Sequence, residues 1–181
     1  MKNQWIKILC FSLVIVLVIG MTISLGACGK KVEQSKVEYP LKLYFVSTDF
    51  VNTGDESKDQ LIKYEGATVS STKNTDDQYM DALALLRKVP ADLKNAESEV
   101  VEQYVINDVK VKEGIAYVDL SSKNLSGGSL QESLFIGQIV MTLVNSFEEI
   151  QSVQFLVDGK VVESLMGHVD VEEPITNYEP L

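Results

Sequence analysis

The sequence predicts an α+β domain in which two helices pack on a mixed, largely antiparallel sheet. Three observations carry this. Short apolar runs alternate at period two in both halves of the chain, and two segments place apolar residues at helical spacing behind capping-box starts. No repeat at a solenoid period is present. The composition agrees: 181 residues, 45% hydrophobic and 23% charged, suit one folded core and are too apolar for a disordered chain.

Residues 1–27 stand apart. Lys2 and Lys7 give a positive start, then residues 8–27 run for twenty positions without a charge up to Cys28. That run is long enough to span a bilayer, and its positive flank stays cytoplasmic while the chain beyond the run is exported. It ends in Leu25-Gly26-Ala27-Cys28, which resembles the lipobox of bacterial lipoproteins. Small residues let a peptidase reach the bond after Ala27, and the Cys28 thiol accepts a diacylglyceryl group, with palmitate as a further chain. One acyl chain holds weakly and two hold firmly. An uncleaved anchor helix and plain secretion after Ala27 are the alternatives. The expected layout is a signal peptide over 1–27, the lipidated cysteine and a polar tether over 28–39, a domain over 40–174 and a C-terminal tail over 175–181. The expected location is the extracytoplasmic face of the cell membrane.

Setting aside the two lysines of residues 1–27, the rest of the chain carries 14 bases against 26 acids. That balance argues against a nucleic-acid partner and leaves lipid, rather than attraction to anionic headgroups, to hold the protein at the membrane. The only cysteines are Cys10 and Cys28, so no disulfide is expected in the folded part.

In order, Leu41-Lys-Leu-Tyr-Phe-Val46 predicts a strand, residues 47–58 a polar acidic loop around Gly54, and residues 61–69 a weaker strand. Thr75-Asp-Asp-Gln78 has capping-box spacing, and Tyr79, Leu83 and Leu86 then share a helix face, with Arg87 and Lys88 in the last turn and Pro90 as stop. Residues 104–111 and 115–120 form a hairpin. If Glu113-Gly114 is its two-residue loop, Val111 faces Ala116 and Val109 faces Val118. Ser129-Leu-Gln-Glu132 is a second capping box opening a helix to Ser146, on which Gln131, Gln138, Thr142 and Asn145 make one narrow polar stripe. Residues 153–157, Asp158-Gly159 and residues 160–165 read as a second hairpin, and residues 169–181 as an extended or loosely docked tail.

Several pieces of this series occur together: Gly114-Ile-Ala-Tyr-Val-Asp-Leu-Ser121, Gly128-Ser-Leu-Gln-Glu132, Thr142-Leu143, Val157-Asp-Gly-Lys160, and Gly167-His168 followed by Asp170 and Pro174. With Leu43-Tyr-Phe45 and Ala84-Leu-Leu86 they resemble the GerMN domain of sporulation and spore germination proteins, over residues 40–174. Lys88-Val89-Pro90 departs from the family's usual Gly-Pro, and the loop over 47–58 is long. The resemblance implies a non-catalytic interaction module on an envelope lipoprotein, working through envelope protein partners or self-association. It implies no cofactor and no catalytic residue.

The residues agree with a non-enzyme. His168 is the only histidine, with neither a nucleophile elbow nor a thiol for it to serve, and it reads as a turn residue beside Gly167. One histidine and no usable thiol leave only carboxylates for a metal, so none is expected. Gly127-Gly128 lacks the lysine of a phosphate loop, and Glu132 reads as the N3 capping residue. One pair stands out: the hairpin register sets Asp108 opposite Asp119 on the face away from the apolar one. Lys110 and Lys112 on that face are the plain compensation; a divalent cation, or carboxylate chemistry on peptidoglycan or sugar, is the alternative. On the second helix, Phe135 and Ile139 flank the polar stripe and are either core or a partner surface.

Overall fold

The computed structural model describes residues 36–72 and 76–178. Strand β1 (Lys36–Ser47) leads through helix α1 (Thr48–Thr53) to β2 (Leu61–Thr72), helix α2 (Asp77–Leu85) and the short β3 (Ala96–Glu97). Then come β4 (Ile106–Lys112), β5 (Ile115–Leu120), the long helix α3 (Ser129–Ser146) and β6 (Ser152–Val157). The α+β class holds, but its sheet is divided: an antiparallel sheet of order β2-β1-β3, and a mixed sheet of order β4-β5-β6 in which β6 runs parallel to β5. One apolar core joins them, with Leu43 and Phe45 from β1, Val118 from β5, Phe155 from β6 and Phe135, Ile139 and Leu143 from α3.

The β4–β5 hairpin has the expected register, with Val111 against Ala116, Val109 against Val118 and Asp108 against Asp119. Its loop places Glu113 at φ 53 and Gly114 at φ 82, the paired positive values of a tight hairpin turn. Four expectations are corrected. The loop over 47–58 contains helix α1, because the Ser47 hydroxyl accepts the Phe50 N–H and Gly54, at φ 61, closes the turn. Strand β1 begins at Lys36, so residues 36–39 belong to the domain and not to a tether. The tail is not loose: Ile175 and Val153 exchange backbone hydrogen bonds of 2.8 and 2.9 Å, and Val171 is buried. The expected second hairpin is a single strand, since β6 pairs with β5 and residues 160–165 make only a Val157–Lys160 bridge before leaving the sheet.

Helix α3 packs against β1 of one sheet and β6 of the other. Residues 132–140 are all buried, which explains why its sequence lacks a wide polar face. Phe135 and Ile139 are fully buried, so neither offers a surface to a partner. Gln138 and Thr142 of the polar stripe are buried too, and Gln131 and Asn145 are half-buried. Tyr178 folds onto α3 at Gly137, its hydroxyl 2.8 Å from Ser133 Oγ and donating to Gln60 Oε1 at 3.2 Å. A Cβ at position 137 would sit 2.7 Å from the Tyr178 ring. Alanine in place of a helix-interior glycine ordinarily stabilises by up to about 1 kcal/mol. Here Gly137→Ala is expected to destabilise by about 1 kcal/mol in urea unfolding, because undocking a part-buried aromatic ring outweighs that gain. In a Tyr178→Ala background the same substitution is expected to become stabilising; an unchanged sign there would show that the ring does not set the need for glycine.

Candidate functional site

Two constellations on α3 organise the domain. The first is the polar stripe, continued by Ser146. The N–H and C=O groups of Lys42 and Tyr44 point away from β2, along an edge of β1 that β3 pairs with only at Val46 and Ser47. Side chains of α3 complete that edge. Ser146 Oγ accepts the Lys42 N–H at 2.9 Å and donates to the Lys42 carbonyl at 3.2 Å, and Thr142 Oγ1 accepts the Tyr44 N–H at 3.1 Å. Gln138 Nε2 donates to the Tyr44 carbonyl at 3.0 Å, and its Oε1 accepts the Glu99 N–H at 2.6 Å. Gln131 Nε2 reaches Glu99 Oε2 at 2.8 Å. The helix therefore covers a strand edge that would otherwise expose unpaired backbone groups. Asn145 is the exception, donating to the Met141 carbonyl of its own helix.

The second constellation is centred on Glu132, whose side chain is fully buried. It is not a capping residue: the cap of α3 is Gly128, one position earlier than expected, and no side chain caps the helix. Glu132 instead reaches to residues 165–168. Its Oε1 accepts the N–H groups of Leu165 at 2.9 Å and Met166 at 2.8 Å; its Oε2 accepts the His168 N–H at 2.8 Å and the His168 Nδ1–H at 3.1 Å. Four donors thus fill the four lone-pair sites of one carboxylate. Gly167, at φ 99, turns the chain between Met166 and His168. The Ser164–Asp170 bridge and the Val171 N–H donating to the Glu163 carbonyl at 2.9 Å close the loop. His168 lies with Glu163, Ser164 and Asp170 on a surface cavity of about 350 Å³. Behind the ring, the N–H groups of Leu165, Met166 and His168 are turned inward to Glu132. The arrangement holds the loop in place.

The carboxylate pair is likewise accounted for. Asp119 Oδ1 accepts the Gly159 N–H at 2.7 Å and its Oδ2 accepts Asn107 Nδ2 at 3.1 Å. Asp108 Oδ1 accepts the Val109 N–H, and its Oδ2 pairs with Lys110, whose hydrogen bond and charge hold the Asp108 carboxyl below its ordinary range. Lys110 is thus the compensation; Lys112 has no such contact with Asp108 in the described bonds. Among the described residues, no group of three or more His, Cys, Asp or Glu is placed to hold a metal ion.

Cys28 and Ala27 lie outside the described residues, as does Thr75, the expected cap of the first helix. Helix α2 starts at Asp77 without a side-chain cap. Among the described residues no helix is long and apolar enough to cross a membrane. Sequence reasoning misses the role of Arg87, which its position suggests is a helix-end residue. Its guanidinium instead donates to the carbonyls of Val101 and Tyr104, both at 3.0 Å, and pins the approach to β4.

The family model described as Germane, sporulation and spore germination, matches residues 42–163. Among solved structures, the first GerMN domain of the sporulation protein GerM from Bacillus subtilis is similar at a TM-score of 0.55 and 15% identity, over 76% of this chain and 96% of that one. The tandem GerMN domains of the same protein give 0.52 and 21%, over 83% of this chain and 48% of the tandem, so the chain spans about half of that structure. A candidate lipoprotein from Clostridium perfringens gives 0.50 and 15%, over 78% of this chain and 88% of that one. No curated protein matches.

Proposed function

The chain belongs to the Germane family of sporulation and spore germination, with the GerMN fold, and from this we propose that it is a lipid-anchored interaction module on the extracytoplasmic face of the membrane. The observation that carries the proposal is Leu25-Gly26-Ala27-Cys28 at the end of an uncharged run, ahead of a family domain matched from residue 42. The similarity to a candidate lipoprotein from Clostridium perfringens supports the same placement. Its work is to bind envelope proteins rather than to catalyse. In support, Glu132 is consumed by a loop, while Asp108 and Asp119 are bound by neighbouring backbone, amide and lysine groups.

Expression in a bacterium fed a labelled fatty acid tests the anchor. The parent is expected to take up label and to begin at Cys28 after processing, and Cys28→Ala is expected to take up none. A parent that stays unlabelled and keeps residues 1–27 would sink the lipoprotein reading.

A further inference from the structure

The outer edge of β2 carries a self-complementary pattern. The edge of β1 that faces α3 is reached through Lys42 and Tyr44, so the intervening Leu43 and Phe45 turn their backbone groups to β2. Their partners Tyr64 and Ile62 turn back toward β1. The N–H and C=O groups of Lys63 and Glu65 therefore point outward, on a strand that ends its sheet. Among the described residues, no hydrogen bond from outside the sheet reaches these groups. The two side chains stand together on the solvent face, 50% and 57% exposed, in an ion pair of 2.8 Å.

We propose that this edge pairs with the same edge of a second copy of the chain, antiparallel about a two-fold axis at Tyr64. In that register Lys63 of one copy lies opposite Glu65 of the other, and the outward backbone groups of these residues exchange hydrogen bonds. The two internal ion pairs become a four-charge network of alternating sign. Charge selects this register, because an axis at Lys63 would set lysine against lysine. Position 64 of one copy then lies opposite position 64 of the other on the far face, where the Tyr64 ring packs on its own domain and its hydroxyl donates to Asp92 Oδ1 at 3.4 Å.

The edge also limits its own pairing. The register of β1 with β2 shifts between Leu41 and Lys42, leaving Gly66 without a partner at φ 148. This bulge ends the regular outward run just after Glu65. Each copy contributes one short edge to an isologous contact, which closes as a dimer and does not extend into a fibre.

This pairing deepens the interaction-module proposal by naming a partner, and it rests on that proposal for its setting at the membrane. The test uses the full chain in intact cells. The Cβ atoms of a directly opposed cross-strand pair lie about 4.5–5.5 Å apart, near what a disulfide spans. Tyr64→Cys is therefore expected to give, under mild oxidation, at least about five times the disulfide-linked dimer of Asn124→Cys, which lies on an exposed loop. Adding Lys63→Glu is expected to bring the yield down to the Asn124→Cys level, and adding Glu65→Lys as well is expected to restore it. Equal yields from Tyr64→Cys and Asn124→Cys, an unaffected Lys63→Glu, or an unrestored double swap would overturn the pairing. So would a heavier adduct at position 64 replacing the dimer, which would mark a foreign strand. Labelled-lipid uptake at Cys28 is followed in the same cells. Lost cross-linking with normal uptake fails the pairing alone, and lost uptake with normal cross-linking fails the anchor alone.

Discussion

Glu132→Ala is expected to lower the stability of the domain by about 3–5 kcal/mol, the cost of removing one partner from a buried charged network. The carboxylate is fully buried and receives three backbone N–H groups and the His168 ring. Truncation leaves donors with no acceptor, each costing about 1–3 kcal/mol where water does not reach. A domain of this size has about 5–15 kcal/mol in total, so the loss is a large share of it. Glu132→Gln tests the chemistry at nearly constant shape. Its amide oxygen still accepts from Leu165 and Met166, but its NH₂ then faces the His168 backbone N–H, donor against donor, and about 2 kcal/mol is expected to go. Urea unfolding measures both variants. Hydrogen exchange should show residues 163–171 losing protection first. A Glu132→Ala variant within about 1 kcal/mol of the parent, no more than one ordinary hydrogen bond, would mean that the loop is held by its bridges alone.

Elements whose pattern depends on near neighbours are legible in the sequence. The β4–β5 hairpin is set by its alternation and by Glu113-Gly114, and its register runs from the turn down to Asp108 opposite Asp119. Ser129 to Glu132 marks a helix start to within one residue, but the box motif misassigns its side chain. The spacing that lets a glutamate cap its own helix also lets it reach a loop more than thirty residues away, and only the fold decides between them. The same holds for the polar stripe. Gln138 and Thr142 have the spacing of a solvent-facing line, as polar residues on a helix usually do; here they meet the backbone of β1, about a hundred residues earlier. Position 153 shows the limit most plainly. Asp158-Gly159 is a true tight turn, with Asp158 at φ 49 and Gly159 at φ 77, yet the strand before it pairs in parallel with β5, and no local signal reports a crossover partner. Gly127-Gly128 and Gly167-His168 stand far apart in the chain; what joins them in space is Glu132, whose burial the sequence does not display.

Ile139→Asp is expected to abolish cooperative folding. Ile139 has no exposed surface and belongs to the same core cluster as Phe135, Val140 and Leu143. Loss of its side chain alone costs about 2–5 kcal/mol, and burying an unpaired carboxylate adds several more. Together these approach or exceed the about 5–15 kcal/mol that holds a typical domain. Residues 132–140 are all buried, so the new carboxylate has no short route to water by a rotamer change. Ile139→Val provides the scale: it keeps the branch, removes one methyl group, and is expected to cost about 0.5–1.5 kcal/mol with the transition still cooperative. Thermal and urea unfolding of both variants measure the effect. If position 139 were a contact surface, the Asp variant would keep a near-parental midpoint and lose only partner capture or self-association. That result would require α3 to expose this flank, against its packing between β1 and β6. Because the pairing edge on β2 is separate from Ile139 in the chain and in the ladder, a folded Asp variant would also be expected to keep the Tyr64→Cys cross-link, so core and edge are separable by experiment.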